Sequence, residues 1–482
     1  MKRGGVCVGL VLAVAAISGC LPETLITWSP DGRYALVRGG GGLAVCDGDG
    51  HLSPALAEEV PAVAWLPDSR RFIAASGTYA ATWDELLPHL SDERRQTAQA
   101  EAEAFRGEIL AYKGDWGAFR FRAESADILA ALMCLRDQHG AELGPVVGDK
   151  WSGLKDLRHG IYALRLFEVA DGKADKGKVL LESLEPPAEI RVAPTGKAFA
   201  YAAPPYPALG AEAAFSLLVV SLAAPDAPQR VADRVSIFFD WTPDGRSVVF
   251  AFTNEADPAA SNRRAHLSSN ESGLVYRRRR MPEAWRSSNL RAGRIVQRTV
   301  VDAEGGLVEK GTQDLVAEVA FFDSMPVRSL RDGRILFAAK EVRLPAASGA
   351  ISKTLSLFCR GADGTLATLP VLAPEGRPTP EYRLDLLQLS PDETRATLPT
   401  DAGPVAVLDL ATGKVTDAWT EETGSRLPAI PVWRSDQELC LVVPKGSKAG
   451  SADREAIVLW SPQGTRCLSK DWPAPAASLN PK

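Results

Sequence analysis

The chain has 482 residues, of which 45% are hydrophobic and 24% charged; this balance is ordinary for a globular protein, and the length is ample for a buried core. The formal net charge is −5 at pH 7, and a mildly acidic chain argues against a general nucleic-acid-binding role. The 34 prolines and 41 glycines are spread along the sequence, as many short strands joined by turns would require.

The N-terminus has the features of an export signal. Lys2 and Arg3 precede an apolar run over residues 6–17, which is too short to span a bilayer. The run ends in Ile17-Ser18-Gly19-Cys20, and small residues that lead directly into a cysteine resemble the lipobox of bacterial lipoproteins. The resemblance implies that residues 1–19 are a signal peptide and that Cys20 is the lipidated first residue of the mature chain. An ordinary signal peptide with a chance cysteine is the alternative.

A lipidated Cys20 would anchor the protein to a membrane of the bacterial cell envelope, on its periplasmic or surface side. Several acyl chains hold a protein stably where one chain is marginal. Leu21 follows the cysteine; an Asp there would favour the inner membrane in enteric-type bacteria, so we expect the outer membrane. No later segment approaches eighteen uninterrupted apolar residues, and lipid is therefore the only anchor that we expect.

A turn motif recurs along the rest of the chain. Its best copies are Trp28-Ser29-Pro30-Asp31-Gly32-Arg33 and Trp241-Thr242-Pro243-Asp244-Gly245-Arg246, and a short apolar run follows each of them. Proline presets φ at the first corner, aspartate bonds the backbone, and glycine accepts a positive φ at the exit. The motif therefore predicts a hairpin corner. Five more degraded copies begin at Trp65, Val192, Ser329, Leu389 and Trp433.

A second apolar run, closed by a Gly, Asp or Pro turn, follows each copy of the motif, as at Leu43–Cys46 before Asp47-Gly48. Two hairpins per repeat predict four short antiparallel strands. Because such units cannot bury both faces alone, they stack and close into a ring. We predict an all-β fold, a β-propeller of about seven four-stranded blades over residues 20–482. The fifth and seventh copies are weak, so six or eight blades stay open, as does a β-sandwich or a pair of stacked β-domains.

The copies at Trp28 and Trp241 resemble the WD-repeat-like blades of TolB-type propellers. The signature of those blades is an apolar residue or Trp, then Ser-Pro-Asp-Gly-Lys/Arg and an apolar strand. The resemblance covers nearly all of residues 21–482. It implies protein–protein contact at the face of the ring or in its channel, and it identifies no partner.

A helical insertion is predicted in the second blade, over residues 84–140. Ser91-Asp92-Glu93 is a helix start, and the run to Ala104 has high helix propensity. A second helix is expected over Ala126–Gln138 with its end at His139-Gly140, and Ala118–Arg122 could form a strand between them. Insertions project from one face of a propeller. We expect this one either to contact a partner or to cap a blade edge.

A basic loop insertion is predicted in the fourth blade, over residues 254–289. It contains Arg263, Arg264, the run Arg277–Arg280 and Arg286. In an acidic, lipid-anchored protein such a loop could lie on anionic headgroups or peptidoglycan. A solvated hairpin loop is the alternative.

Motifs for catalysis or metal binding are scarce. Neither a Gly-x-Ser-x-Gly elbow nor a phosphate-binding loop occurs. Asp47, Asp49 and His51 alternate like calcium-loop ligands, but Leu52 stands where glycine is needed, so a hairpin turn is the preferred interpretation. The recurrent motif aspartates are interpreted as turn formers. No histidine lies within four residues of another, as a metal pair would require; they are His51, His89, His139, His159 and His266.

Five cysteines remain once Cys7 leaves with the signal peptide and Cys20 is lipidated. Five is odd, so at least one cannot pair within the chain. Cys440 and Cys467, expected on neighbouring strands of the last repeat, are the candidate disulfide. Buried free thiols are the alternative.

These observations predict a lipid-anchored, non-catalytic β-propeller scaffold of the bacterial cell envelope that binds a protein or another ligand. We expect no cofactor, no metal and no catalytic residue. The alternatives are a propeller enzyme of the lactonase, lyase or hydrolase type acting at the central channel, and a structural spacer. Carboxylates and histidines around a channel pocket would favour the enzyme, whereas an open apolar or mixed face would favour binding.

Overall fold

The structure is a computed structural model, and it describes residues 25–39, 42–112, 126–204, 215–253, 266–267, 274–275, 290–308, 311–322, 326–339, 341–343, 356–371, 382–400, 403–420, 430–443 and 456–469. Cys20 and residues 1–19, the strand expected at Ala118–Arg122 and nearly all of the basic loop 254–289 lie outside the described residues. Within the described ranges, no helix combines the length and the hydrophobicity of a transmembrane span.

Antiparallel sheets make up most of the fold, which confirms the prediction of a mainly β protein. The first repeat forms a three-stranded sheet, and the second forms a five-stranded sheet. Each begins with a short strand that ends at the motif tryptophan. Their strands are β1 (Ile26–Trp28), β2 (Tyr34–Gly39), β3 (Gly42–Asp47), β4 (Val63–Trp65), β5 (Arg71–Ala80), β6 (His159–Ala170), β7 (Lys173–Ala174) and β8 (Lys178–Ser183).

The third and fourth repeats share one eight-stranded sheet, whose order is β20-β17-β16-β13-β12-β11-β10-β9. A separate short hairpin, β14 and β15, lies between β13 and β16 in the sequence. The strands of this part of the chain are β9 (Glu189–Val192), β10 (Ala198–Ala203), β11 (Phe215–Ser221), β12 (Ala224–Trp241), β13 (Ser247–Thr253), β14 (His266–Leu267), β15 (Leu274–Val275), β16 (Leu290–Thr299), β17 (Thr312–Phe322) and, from the fifth repeat, β20 (Glu341–Arg343).

The 18-residue strand β12 joins the two repeats. Its first part pairs with β11 as far as Val235, and its last part pairs with β13 from Val235 to Trp241. A break in register between Val235 and Phe239, and the positive φ of 60° at Arg234, bend the strand where it changes partner. No Gly or Pro occurs in residues 229–241, so nothing ends the strand between the repeats. The two predicted four-stranded units are therefore continuous here.

The last three repeats form three more sheets, of four, three and four strands. The sixth repeat adds an isolated bridge between Leu389 and Ala396. The strands are β18 (Val327–Ser329), β19 (Ile335–Ala339), β21 (Ser356–Arg360), β22 (Leu366–Leu369), β23 (Arg395–Pro399), β24 (Val405–Asp409), β25 (Val415–Trp419), β26 (Val432–Trp433), β27 (Leu439–Val443), β28 (Ala456–Ser461) and β29 (Gly464–Ser469).

The motif turns have the predicted hairpin geometry. In the first copy, the Gly32 N–H donates to the Ser29 carbonyl at 2.8 Å, and Gly32 has a φ of 68°. The second and sixth copies carry Ser69 and Glu393 in place of the glycine, yet these residues have φ values of 58° and 59°. Because a side chain disfavours this left-handed region, something other than local preference maintains it at both positions.

The substituted turns bond the turn of the preceding repeat. The Asp31 N–H donates to Ser69 Oγ at 3.1 Å, and the Arg331 N–H donates to Glu393 Oε2 at 2.6 Å. In both cases the side chain at the glycine position satisfies a backbone donor of the neighbouring repeat. These bonds offset the cost of the left-handed conformation.

At two of the kept glycines, Gly245 and Gly32, the neighbouring turn lies too close for a side chain. A Cβ at Gly245 would lie 2.8 Å from Thr195 Cγ2, and a Cβ at Gly32 would lie 2.7 Å from the carbonyl oxygen of Arg434. The second contact joins the seventh repeat to the first. Arg434 also donates from Nε to the Gly32 carbonyl at 3.1 Å.

Motif tryptophans make further links between repeats. Trp65 donates from Nε1 to the Thr27 carbonyl at 2.8 Å, and Trp433 donates in the same way to the Gln388 carbonyl at 3.2 Å. A Cβ at Gly196, in the third repeat, would be in van der Waals contact with Pro67 of the second. Together with the contacts above and the Ser329–Asp240 bond described below, each repeat touches the next, and the seventh touches the first.

The hydrophobic core lies between neighbouring sheets. Leu36 of the first repeat packs in one buried cluster with Phe72 of the second, and Ile73 of the second packs in another with Phe199 of the third. Trp28 shares a cluster with strands of the seventh repeat. The sheets therefore bury their faces against each other.

Helices connect β5 to β6, two strands that pair directly along residues 71–80 and 159–168. They are α1 (Trp83–Leu86), α2 (Asp92–Ala111) and α3 (Ala126–Val147). Ser91 caps α2 by accepting from the Arg94 N–H at 3.3 Å. The side chains of Arg106 and Glu142 meet at 2.6 Å, and those of Glu103 and His139 meet at 3.0 Å. Both pairs are 36 residues apart, which shows that α2 and α3 run in the same direction.

The expected helix end at His139-Gly140 is wrong, because α3 continues to Val147 and a 3-10 segment follows to Leu154. The helical part therefore extends beyond residue 140. Gly140 packs against the indole of Trp151, 3.5 Å from the position that its Cβ would take. The glycine that follows the end of the helix with a positive φ is Gly148, at 64°.

Candidate functional site

The first strands of successive repeats lie side by side. β26 contacts β1, β1 contacts β4, β4 contacts β9, β9 contacts the end of β12, and β12 contacts β18. Most side chains of these strands belong to the core, such as Ile190, Phe239 and Val327. Charged residues interrupt this pattern on three neighbouring strands. We call Glu189, Arg191, Asp240 and Arg328 the first-strand cluster.

Arg191 holds the two carboxylates of the cluster. Its Nη2 lies 3.1 Å from Glu189 Oε1, and its Nη1 lies 3.6 Å from Asp240 Oδ1. Burial alone would lower the pKa of Arg191, but the negative charges of Glu189 and Asp240 outweigh it and raise that pKa. The guanidinium is therefore charged, and it pairs with a carboxylate on its own strand β9 and with another on β12.

Asp240 ties together the strands on either side of it. Its Oδ1 accepts from the Trp241 N–H at 3.0 Å, and its Oδ2 accepts from the Ser329 N–H at 3.1 Å. Trp241 in turn donates from Nε1 to the Arg191 carbonyl at 3.0 Å. The carboxylate thus connects the third, fourth and fifth repeats through bonds that fix its orientation.

Solvent reaches three of the four side chains. Those of Glu189, Arg191 and Asp240 keep 26%, 25% and 19% of their surface exposed. These three side chains are therefore accessible to water, whereas most of the first-strand side chains are buried.

Arg328 differs from the rest of the cluster because it is only 4% exposed. Its Nη1 donates to the Val327 carbonyl at 3.1 Å, and its guanidinium lies 5.7 Å from the centroid of the Phe238 ring. No carboxylate of the described residues comes within 4 Å of it. Burial, and then the positive charge of Arg191, lower the pKa of Arg328 to about 10, against the attraction of Asp240 and Glu189.

The cluster suits binding of an anion better than proton transfer. A guanidinium offers five donors in a planar fork, and Arg328 uses only one of its nitrogens in a hydrogen bond with the described residues. Both carboxylates already accept from neighbouring groups. His51, His89, His139 and His159 lie in other parts of the structure.

A second polar group lies where the helices meet the sheet. His159 is buried, and its two ring nitrogens face the carbonyls of Gly160 at 2.8 Å and Ala126 at 3.1 Å. Beside it, Arg94 pairs with Glu185 at 2.7 Å. Arg94 and His159, together with Asp127 and Leu184, border a small cleft. The ion pair fastens α2 to the segment that follows β8, and His159 fastens the start of α3 to β6.

The calcium-like fragment forms a turn, as the preferred interpretation expects. Asp47 Oδ1 accepts from the N–H groups of Asp49 and His51, each at 2.9 Å, and Asp47 Oδ2 lies 3.0 Å from His51 Nδ1. The ligand atoms of these three residues do lie within 4.8 Å of one another. Ser53, the next residue in the alternating series, is not part of this group, and its Oγ accepts from the Val45 N–H at 3.0 Å. Backbone donors thus account for the position of the carboxylate.

The recurrent aspartates of the motif stabilise the turns in which they lie. Asp31, Asp68, Asp244, Asp332 and Asp392 each accept, through one carboxylate oxygen, from the N–H two residues further on, at 3.0 to 3.2 Å. They do not converge on a common site. Their recurrence reflects the geometry of the hairpin corner.

The candidate disulfide between Cys440 and Cys467 is absent, and the expectation that these residues lie on neighbouring strands is wrong. Both thiols are free, and β28 lies between their strands β27 and β29. Residues two strands apart are about 9–10 Å apart, too far for a disulfide. Burial raises the pKa of Cys440 to about 12.

No motif in the sequence marks the first-strand cluster. Its residues span positions 189 to 328 and lie on strands of three to eighteen residues. The signal that could have found them is a charge within an apolar first strand, as in Phe239-Asp240-Trp241 and Val327-Arg328-Ser329. Only the order of the sheets brings these charges together.

Comparisons with known proteins give similarities of fold only. No family model matches the chain, and no curated protein matches it. An oligogalacturonate lyase in complex with manganese is 8% identical, with a TM-score of 0.44 over 91% of this chain and 89% of the lyase. The β-propeller domain of Cps50 (Swd1) from Myceliophteria thermophila is 9% identical, with a TM-score of 0.39 over 91% and 96%.

A putative TolB from Agrobacterium tumefaciens is 12% identical, with a TM-score of 0.35 over 61% of this chain and 84% of that protein. None of these three proteins carries a function or a residue role over to this chain.

Proposed function

We propose that the chain is a lipid-anchored, non-catalytic binding scaffold of the bacterial cell envelope, built as a seven-bladed β-propeller with a helical insertion in its second blade. The observation that carries the binding role is the first-strand cluster. In a propeller the first strands surround the central channel, so Glu189, Arg191, Asp240 and Arg328 would face a ligand that enters it. Residues 20–482 form this domain.

The contacts between repeats support the seven-bladed ring. Each repeat meets the next through its motif turn or its first strand, and Arg434 of the seventh repeat contacts Gly32 of the first. Over the residues that the structure describes, the sheets that contain the first and seventh repeats share no strand. Side-chain packing, rather than an exchanged strand, then closes the ring.

The bonding of the carboxylates favours binding over catalysis. A general acid or base needs a proton that it can exchange with a substrate. Glu189 instead pairs with Arg191, and Asp240 is fixed by Arg191 and by the N–H of Ser329. A guanidinium stays charged at neutral pH, so Arg328 can attract an anion but cannot act as a base there.

Lipidation at Cys20 rests on the lipobox-like sequence, and fractionation tests it. In a bacterial host, Cys20→Ala should abolish acyl labelling and release the protein from the membrane fraction. Cys467→Ala, which leaves the lipobox-like sequence unchanged, should behave as the wild type. Membrane fractionation of Cys20→Ala that equals that of the wild type would refute the lipid anchor.

A photo-crosslinking amino acid tests the channel as the binding face. It is placed at Glu189 and, as a control, at the exposed Lys414 in the turn between β24 and β25. Crosslinking in intact envelopes should give a discrete adduct from position 189 and none from position 414. Equal labelling at both positions would refute the channel. If the protein converts a lactone or a polysaccharide, and if this reaction requires Asp240, the proposed binding scaffold is wrong and the alternative of a propeller enzyme is correct.

A further inference from the structure

We propose that the first-strand cluster is a carboxylate-binding site in which Arg328 makes the principal contact and Arg191 holds the competing acidic side chains aside. This inference deepens the proposed function, since it names the chemical group that the scaffold would recognise. Arg328 carries the proposal because it is a nearly buried cation with no ion-pair partner among the described residues.

Buried guanidinium groups are ordinarily paired with a carboxylate and bonded through several nitrogens. Arg328 is 4% exposed, and its one hydrogen bond within the described ranges goes to the carbonyl of the preceding residue, Val327. The face of the Phe238 ring contributes a weak attraction at 5.7 Å. An anion from outside the chain would supply the missing acceptor.

The two nearest acidic side chains do not supply it. Arg191 lies 3.1 Å from Glu189 and 3.6 Å from Asp240. The other oxygen of Asp240 accepts from the Ser329 N–H at 3.1 Å, so the aspartate is held on both sides. Neither carboxylate comes within 4 Å of Arg328. The guanidinium of Arg191 thus pairs with the acidic side chains of the cluster, and the guanidinium of Arg328 is available to a ligand.

The ligand approaches Arg328 past Glu189, Arg191 and Asp240, whose side chains are partly exposed to solvent. The two acids set a limit on its charge, because they repel a multiply charged anion such as phosphate more than a monoanion. A carboxylate carries a single charge, and its two oxygens match the guanidinium fork. We therefore infer a carboxylate, either on a small acid or on an acidic side chain of a partner protein.

Binding is measured on the full chain by titration calorimetry and by the shift of the urea midpoint. The small-acid probe is acetate, with phosphate at equal ionic strength as the comparison. The side-chain probe is an N-acetylated, C-amidated tripeptide Gly-Glu-Gly, compared with Gly-Gln-Gly. We expect saturable stabilisation by a carboxylate probe, with little by phosphate and none by the glutamine peptide. Binding of acetate alone identifies a small acid, and tighter binding of the glutamate peptide identifies a protein side chain.

Two substitutions at Arg328 separate the guanidinium fork from its charge. Arg328→Lys should weaken carboxylate binding by at least tenfold, and Arg328→Met should abolish it. The matched control is Arg334→Met, also in the fifth repeat, whose guanidinium pairs with Asp332 at 2.6 Å; it should bind as the wild type. Without ligand, Arg328→Met should unfold at the same urea concentration as the wild type or at a higher one, because it removes an unpaired buried charge.

Absence of saturable binding to the wild type, or equal binding by wild type and Arg328→Met, would overturn the proposal. So would a lower urea midpoint of ligand-free Arg328→Met, because it would mean that the folded protein already compensates this charge. Crosslinking from position 189 without carboxylate binding would leave the scaffold standing and remove only this site. Carboxylate binding together with equal crosslinking from positions 189 and 414 would support the carboxylate site and refute the channel as the binding face for a partner.

Discussion

Gly32→Ala tests the junction between the seventh and first repeats. Gly32 has a φ of 68°, and a Cβ there would lie 2.7 Å from the carbonyl oxygen of Arg434. The left-handed conformation alone costs alanine about 1–2 kcal/mol. Relief of the contact requires movement of the Arg434 backbone, and forcing atoms into a packed region costs a further 1–3 kcal/mol or so.

Gly333→Ala is the matched control, because it occupies the same motif position in the fifth repeat. Its φ is 84°, and its Cβ would meet only the Cβ of Ala362 at 3.5 Å, an ordinary contact distance. It should therefore bear the conformational cost without the steric one. The difference between the two variants, about 1–3 kcal/mol, measures the junction.

Amide hydrogen exchange localises the effect. The extra cost in Gly32→Ala should speed exchange about 5- to 150-fold in peptides that cover residues 25–39 and 430–443, since each 1.4 kcal/mol is a factor of ten. Gly333→Ala should leave those peptides close to the wild type. Equal destabilisation by the two variants, or an increase in exchange that misses residues 430–443, would refute the contact between the repeats.

Three further predictions concern stability. Trp65→Phe removes the hydrogen bond to the Thr27 carbonyl and should lower the free energy of unfolding in urea by about 0.5–1.5 kcal/mol more than Trp419→Phe, whose Nε1 has no hydrogen-bond partner in the described part of the chain. Although burial raises the pKa of Asp68, hydrogen bonds from Arg70 and Arg71 hold it below its usual 3.8. Its stabilisation should be present above pH 3.8 and lost below it, so Asp68→Asn should flatten the acid side of the pH–stability curve. Burial lowers the pKa of His159 below 6.5, against the carbonyls of Gly160 and Ala126; protons then favour the unfolded chain, and stability should fall as the pH drops below 6.5.

Each of these three predictions has an outcome that would contradict it. Equal losses in Trp65→Phe and Trp419→Phe would contradict the indole bond between repeats. An acid transition of Asp68→Asn that superimposes on that of the wild type would contradict the role of Asp68. His159→Gln should flatten the curve just below pH 6.5, whereas replacement of the exposed His51 by glutamine should leave that part of the curve in place; the opposite result would contradict the assignment to His159.

The sequence predicted what depends on local chemistry. The turn motif specified its backbone conformation where glycine is kept, as at Gly32, because proline, aspartate and glycine favour the same corner. Where Ser69 and Glu393 replace the glycine, the same conformation also depends on a hydrogen bond to the neighbouring repeat. Ser91 marked the start of α2 for a similar reason, since its cap bond spans only three residues.

Features that depend on distant packing were not predictable in the same way. Gly140 looked like a helix end, but contact with Trp151 makes it a packing position. The Cys440–Cys467 pairing failed because the order of β27, β28 and β29 decides which residues are neighbours. The first-strand cluster was missed because the encounter of Arg191 with Asp240 and Arg328 is a product of the fold.

The long strand β12 has a consequence for cooperativity. Glu189, Arg191 and Asp240 lie on β9 and β12, which belong to one hydrogen-bonded sheet, whereas Arg328 lies on β18 of another. Two repeats that share a continuous strand should open together as one foldon, and the sheet that contains β18 should open separately. A ligand held between Arg191 and Arg328 would couple these two foldons. Binding of the ligand would then slow amide hydrogen exchange in both foldons, including at residues far from the atoms that the ligand contacts.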